Sequence, residues 1–175
     1  MNHPELSSIS KILDNMYLSG IKPFNNPKNL KGIKYVLSCV DLRYVLPKHY
    51  LIDTVDNDVT FFYLPYNDNV YQNLWDYHTS YPTIRKTKSN EYDTKAKQWL
   101  ENKWASQPMI EVSYHIIDNV LESGQPILIH CMAGVSRSAS MIIYYLMRKY
   151  GMGFDDAYHL IKSRRSIINP NKSFQ

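Results

Sequence analysis

Cys131 and Arg137 stand six residues apart, with one glycine, Gly134, and small side chains between them. Directly before them, after Pro126, runs the short apolar and β-branched stretch Ile127-Leu128-Ile129. Directly after them Ala139, Ile142, Ile143, Leu146, Met147 and Tyr150 recur at helical spacing. The pattern predicts a buried strand, a tight loop and an amphipathic helix, in that order. Backbone N–H groups in a loop that enters a helix N-terminus lack intrahelical partners and converge, which makes an anion site. Cys131 lies at the start of that loop, where the N–H dipoles and the Arg137 guanidinium favour thiolate over thiol. The planar fork of Arg137 can grip two oxygens of a phosphate held over the sulfur. A thiolate facing a bound phosphate is placed to attack phosphorus and form a covalent phosphocysteine.

The run His130-Cys131-x-x-Gly134-x-Ser136-Arg137-Ser138 resembles the signature loop of the cysteine-dependent protein phosphatases, in particular their dual-specificity branch. Six of its nine positions match that pattern. A plain buried cysteine beside a helix start would leave Gly134, Arg137 and Ser138 as coincidences. The resemblance implies an α/β, single-domain cysteine-phosphatase fold: a central, mostly parallel twisted sheet flanked by helices. It implies two-step hydrolysis of phosphomonoesters in phosphorylated proteins, with no metal and no other cofactor. Cys131 is the implied nucleophile. Met132, Ala133, Gly134, Val135 and Ser136 would bind phosphate through their N–H groups, together with Arg137. Ser138 stands where the family has a hydroxyl that hydrogen-bonds the departing thiolate; capping the helix start is its simpler role. His130 is expected to fix the loop by hydrogen bonding and to help stabilise the thiolate.

Displacing a phenolate or alkoxide requires a proton on the leaving oxygen, so a carboxylic acid must sit on a loop beside the pocket. Val59 to Leu64 reads as a strand that Pro65 ends, and Tyr66-Asn67-Asp68-Asn69 follows. This resembles the family's general-acid loop and gives Asp68 that role. Asp76 and Asp93 are the competitors, and neither follows a strand ending in Pro. The family usually places the acid much nearer the nucleophile, so a segment of about 72–105 reads as an insert before the helix that precedes the catalytic strand. Trp75, Trp99 and Trp104 suit packing of that insert onto the domain, while Arg85, Lys86 and Lys88 read as a solvated face or a contact for an acidic partner or a second phosphate.

The remaining elements follow in order. Ile9 to Ser19 predicts two short strands around an Asp14-Asn15 turn, and the run resembles the family's opening. Pro27 to Leu30 suits a short helix, and Ile33 to Val40 a core strand carrying Cys39. Cys39 is most simply a small buried hydrophobe. Its strand also resembles one bearing a backdoor cysteine in a phosphoinositide phosphatase of the same superfamily, which would imply a reversible disulfide with Cys131. Met109 to Leu121 has helical periodicity with Gly124 as its C-cap, His115 lying on a helix face. A last helix over Phe154 to Ser163 leads to Arg164, Arg165 and Asn169-Pro170-Asn171, which resembles the family's closing motif. Both arginines are expected to support packing and the phosphate field.

Length and composition agree with one globular domain: 175 residues, 44% hydrophobic and 21% charged. The formal charge of +4 suits anionic substrates but is too mild to require nucleic acid. Two cysteines build neither a disulfide framework nor a Cys-rich zinc site. Met1 to Ser10 lacks an apolar signal core and no apolar run spans a membrane, so the expected location is intracellular, cytoplasmic or nuclear. The loop interior, Met132 to Val135, carries no Lys, whereas lipid-directed relatives often place basic residues there. Protein substrates are therefore expected, with phosphoinositides and RNA 5′-phosphates as alternatives of the same chemistry. A phosphate-binding module without turnover is the alternative of a different class.

Overall fold

The structure, a computed structural model, describes residues 3–52, 59–64, 66, 83–86 and 107–171. Its strands are β1 (Ser10–Leu13), β2 (Met16–Ser19), β3 (Tyr35–Ser38), β4 (Thr60–Tyr63), β5 (Thr83–Lys86) and β6 (Ile127–His130). They form one sheet in the order β1-β2-β6-β3-β4-β5. β2, β6, β3 and β4 run parallel, and β1 and β5 close the two edges antiparallel. β6 is buried along its whole length between β2 and β3, which its unbroken apolar run dictates. The loop that follows it therefore opens at the carboxyl ends of the parallel strands, where α/β sheets hold their ligands.

Among the described residues are three short 3-10 helices (Pro4–Ser7, Lys22–Asn25 and Pro27–Leu30) and four α-helices: α1 (Leu42–His49), α2 (Met109–Glu122), α3 (Arg137–Tyr150) and α4 (Phe154–Arg164). α2 packs on β3 and β6, α3 on β6 and β2, and α4 on β1 and α3. In α3 the stripe Ala139, Ile142, Ile143 and Leu146 is buried, and Gly151 ends the helix at φ +67°. Gly124, at φ +76°, follows α2 in the same left-handed conformation. α4 carries Asp155 and Asp156 in its first turn and Lys162 and Arg164 in its last, signs that suit the helix dipole. The Asp14-Asn15 turn between β1 and β2 has Asn15 at φ +63°, a conformation asparagine tolerates.

Two elements differ from the sequence reading. α1 contains Pro47 and has no clear apolar stripe; Asp41 starts it by accepting the Arg43 N–H at 2.9 Å. β5 lies inside the segment read as an insert, and it pairs with β4 so that Arg85 is opposite Phe61. Arg85 is consequently not on a solvated face. Its guanidinium lies 4.6 Å from the centre of the Phe61 ring and 5.1 Å from that of Tyr50. The rest of the insert, with Trp75, Trp99, Trp104, Lys88 and the competing Asp76 and Asp93, lies outside the described residues.

Candidate active site

Cys131 leaves β6 at the centre of the sheet and Arg137 opens α3, so strand and helix fix the two ends of a five-residue loop. Between them the carbonyl groups are all bound by the surrounding fold. Cys131 C=O accepts from His130 Nδ1 at 3.0 Å and Met132 C=O from the Ile21 N–H at 2.9 Å. Ala133 and Gly134 C=O accept from Nη2 and Nε of Arg165 at 3.1 and 2.8 Å. Val135 C=O accepts from the Asn169 N–H at 2.8 Å. In a planar peptide the N–H points opposite the C=O. Five carbonyls held outward therefore turn the N–H groups of residues 132 to 136 inward, over Cys131. The Gly134 N–H reaches the Cys131 sulfur at 3.3 Å.

Two glycines make this turn sterically possible. Gly134 has φ +70°, and a Cβ there would lie 2.5 Å from the Ser19 carbonyl carbon and 2.6 Å from the Gly20 nitrogen. A Cβ on Gly20 would in turn lie 2.7 Å from the Ala133 carbonyl carbon. The loop and the end of β2 touch backbone to backbone, which only glycine allows.

The sulfur is almost wholly buried and lies 3.2 Å from the Ser138 hydroxyl. Burial alone would raise the Cys131 thiol. The Ser138 hydroxyl and N–H, the Arg137 guanidinium and the Gly134 N–H outweigh it, and the thiol ends below its ordinary value. Helix α3 is entered through Ser136, whose hydroxyl accepts from the Asn171 N–H at 2.8 Å, while the Ser138 hydroxyl lies against the sulfur. His130 is fully buried, and burial lowers it to about 4; the Arg137 charge works in the same direction, and only the Cys131 carbonyl opposes them. At neutral pH it is an uncharged hydrogen-bond donor, not a cation beside the thiolate.

Arg137 donates from Nη1 to the Tyr66 carbonyl at 3.1 Å, and its buried Nε has no hydrogen-bond partner among the described residues. A buried guanidinium N–H beside a cradle of inward N–H groups fits an anion of phosphate geometry. Tyr66 is itself anchored: its hydroxyl pairs with Ser113 Oγ at 2.9 Å, and Ser113 bonds back to the Met109 carbonyl. Asp68 lies outside the described residues, two positions beyond Tyr66.

The two closing arginines part company. Arg165 is completely buried and clamps the loop, while Arg164 is exposed at the end of α4. Arg165 also donates to the Ser8 carbonyl at 3.0 Å and the Ser10 hydroxyl at 3.2 Å, tying the loop to the start of the chain. Cys39 lies one residue beyond the pairing of Ser38 with His130, and its N–H bonds to the His130 carbonyl at 2.9 Å. It is thus the cross-strand neighbour of Cys131, and both are free thiols.

The family model described as "Dual specificity phosphatase, catalytic domain" matches residues 17–175. The chain belongs to the dual-specificity phosphatase family. Protein R622 of Acanthamoeba polyphaga mimivirus, grouped by name with the tyrosine-protein phosphatases, is 44% identical over 178 residues, covering 99% of this chain and 83% of that protein. Dual specificity protein phosphatase 1B of Arabidopsis thaliana is 46% identical over 61 residues, which is 35% of this chain and 36% of the plant protein. Among solved structures, the human tyrosine phosphatase-like serine/threonine/tyrosine-interacting protein superposes with a TM-score of 0.65 at 21% identity, over 96% of this chain and 91% of that one. DUSP15 gives 0.62 at 21% identity, over 96% and 83%. These two share the α/β fold expected from the sequence, and the phosphatase catalytic domain makes the chain an enzyme of the dual-specificity class.

Several residues around the loop carried no chemical signal in the sequence. Ile21 and Asn169 act through backbone N–H groups, which no side chain advertises. Gly20 could have been suspected as a close-approach glycine beside a loop glycine. His49, from α1, meets His130 at 3.0 Å across the sheet face, a contact that no sequence spacing predicts. Among the described residues no helix is long and apolar enough to cross a membrane.

Proposed function

We propose that this dual-specificity phosphatase domain hydrolyses phosphotyrosine and phosphoserine/phosphothreonine in proteins through a phosphocysteine on Cys131. The observation that carries the reading is the loop with every carbonyl from Cys131 to Val135 bound on its outer side, leaving its N–H groups and Arg137 over one buried, activated sulfur. In the first step the thiolate forms the S–P bond as the bond from phosphorus to the substrate oxygen breaks. Asp68, as the acid, gives that oxygen its proton. The N–H groups of residues 132 to 136 and the Arg137 fork hold the three equatorial oxygens, where charge builds in the transition state. In the second step Asp68, now a carboxylate, takes a proton from water as that water attacks phosphorus. The S–P bond breaks and the electron pair returns to sulfur, where the Ser138 hydroxyl stabilises it.

Support for Asp68 comes from its place in the sequence two positions after Tyr66, whose carbonyl accepts from Arg137 and whose ring hydroxyl pairs with Ser113 of α2. Support for protein substrates is the loop interior, which offers no Lys to meet additional phosphates. The domain acts in an intracellular, cytoplasmic or nuclear compartment, where the thiol stays reduced.

Turnover in EDTA with reductant tests the reading. The panel holds phosphotyrosine, phosphothreonine and phosphoserine peptides, a phosphoinositide and a 5′-triphosphate RNA, each with a Cys131→Ser control. Turnover of both phosphotyrosine and phosphothreonine peptides, lost in the control, is the expected result. Preference for the lipid or the RNA would overturn the substrate, and binding without turnover would overturn the chemistry. Asp68→Asn should lower kcat by roughly 10²–10⁴-fold, and near-normal rates would move the acid to Asp76 or Asp93.

A further inference from the structure

A line of polar groups, half-buried at Arg85 and buried from Tyr63 onward, crosses the sheet face from β5 to the catalytic loop. Arg85 Nε lies 3.3 Å from the Tyr63 hydroxyl, Tyr63 Oη 2.9 Å from His49 Nδ1, and His49 Nε2 3.0 Å from His130 Nε2. His130 Nδ1 closes the line on the Cys131 carbonyl at 3.0 Å. Phe24 and Phe61 enclose the two imidazoles, with ring centres 4.8 Å from Phe24 to each and 4.5 Å from Phe61 to His49. Both imidazoles are fully buried. Burial above all opposes positive charge on them, and Arg85 near one and Arg137 near the other add to it.

With both rings neutral, the direction of every bond is determined. A carbonyl only accepts, so His130 carries its proton on Nδ1 and its Nε2 must accept. His49 must then donate from Nε2, which leaves its Nδ1 to accept from the Tyr63 hydroxyl. Arg85, a donor only, stands at the far end and donates to the Tyr63 oxygen. All four bonds therefore point toward Cys131, and such an aligned chain strengthens each of its members.

We propose that His49 is a positioning residue that, with Tyr63 and Arg85, sets the tautomer of His130 and so holds the first peptide of the phosphate loop. The Cys131 carbonyl and the Met132 N–H belong to that one peptide plane. Pinning the carbonyl outward turns this N–H into the cradle. The segment read as an insert thereby gains a role, because its strand β5 supplies the arginine that starts the chain. The inference rests on the proposed cysteine chemistry for its effect on rate, but the tautomer can be read without any turnover.

The test combines nitrogen-15 NMR of the histidine rings with kinetics. In the wild-type protein His130 should be protonated at Nδ1 and His49 at Nε2. His49→Gln keeps an N–H donor toward His130 and should retain the wild-type rate. His49→Leu removes it, and kcat should fall about 10-fold with KM nearly unchanged, less than the loss of a whole oxyanion donor. Arg85→Met should shift kcat in the same direction by a smaller factor. A wild-type His130 protonated at Nε2 would overturn the proposal even if His49→Leu failed to fold. So would a folded His49→Leu enzyme with wild-type kcat, or equal losses in the Gln and Leu variants. Absence of turnover with the tautomers as stated would instead count against the proposed function.

Discussion

Replacing Arg165 by Met probes whether the loop is shaped from outside. The guanidinium makes two short bonds to the carbonyls of Ala133 and Gly134, and further bonds to Ser8 and Ser10. Methionine fills similar space but donates nothing, so two buried loop carbonyls lose their partners, at about 1–3 kcal/mol each. Relief from burying the charge offsets part of this. A net loss of about 3 kcal/mol is expected, which for a chain of this size lowers Tm by roughly 6–12 °C. The larger effect is on rate. Freed carbonyls can turn toward the pocket and take their peptide N–H groups out of it, and misplacing one such donor costs roughly 10²–10³-fold in kcat. Arg165→Met should therefore lose at least about 10²-fold in kcat on a phosphotyrosine peptide while Cys131 and Arg137 remain in place. Arg165→Lys, which can satisfy one carbonyl, should fall between. Urea unfolding separates folded from unfolded protein in the same samples. A folded Arg165→Met enzyme with kcat close to wild type would show that the loop holds its shape without the clamp.

Three further outcomes follow from named contacts. His49 and His130 are buried neutral, so the unfolded chain binds more protons below about pH 6.5 and stability falls on acidification. From pH 7.5 to 5 the two rings together should remove about 4 kcal/mol by urea unfolding, and His49→Gln should recover about half of it; equal pH dependence in both proteins would contradict this. Gly134→Ala should cost about 3 kcal/mol and Gly151→Ala about 1 kcal/mol, because a Cβ at Gly134 meets backbone and one at Gly151 meets nothing within 4 Å. Equal losses of Tm would show that the contact between the loop and β2 is unimportant. With peroxide as oxidant, Cys131 should form a sulfenic acid that the neighbouring Cys39 thiol converts to a disulfide with loss of water. Burial holds Cys39 as a thiol, with Cys131 nearby adding to the effect, so it resolves and does not attack first. Mass spectrometry finding only sulfinic Cys131, never the bridge, would exclude it.

The sequence carried the centre of this enzyme well and its supports poorly. Ile127 to Ile129, Cys131, Gly134, Arg137 and the stripe from Ala139 to Leu146 are local, and periodicity with loop chemistry was enough to place strand, loop and helix. The helix begins at Arg137, two residues earlier than its apolar stripe, because the first turn is spent on the site. Arg165 was legible as a supporting residue, but not its separation from Arg164, since burial differs completely between two adjacent identical side chains. α1 escaped because Pro47 masks it, and β5 because a four-residue edge strand in a charged segment has no pattern of its own. His49 and His130 lie 81 residues apart and meet only through the sheet order. Non-local contacts of that kind leave no spacing to read.

The covalent intermediate is the centre of the proposed mechanism. Rapid quench of the wild-type enzyme and of a Ser138→Ala variant, in which the departing thiolate loses its hydroxyl partner, with a phosphotyrosine peptide, followed by intact-mass and peptide mapping, should find one phosphoryl group on Cys131. The adduct should be absent in Cys131→Ser. Phosphate on any other residue, or steady turnover by Cys131→Ser, would contradict it.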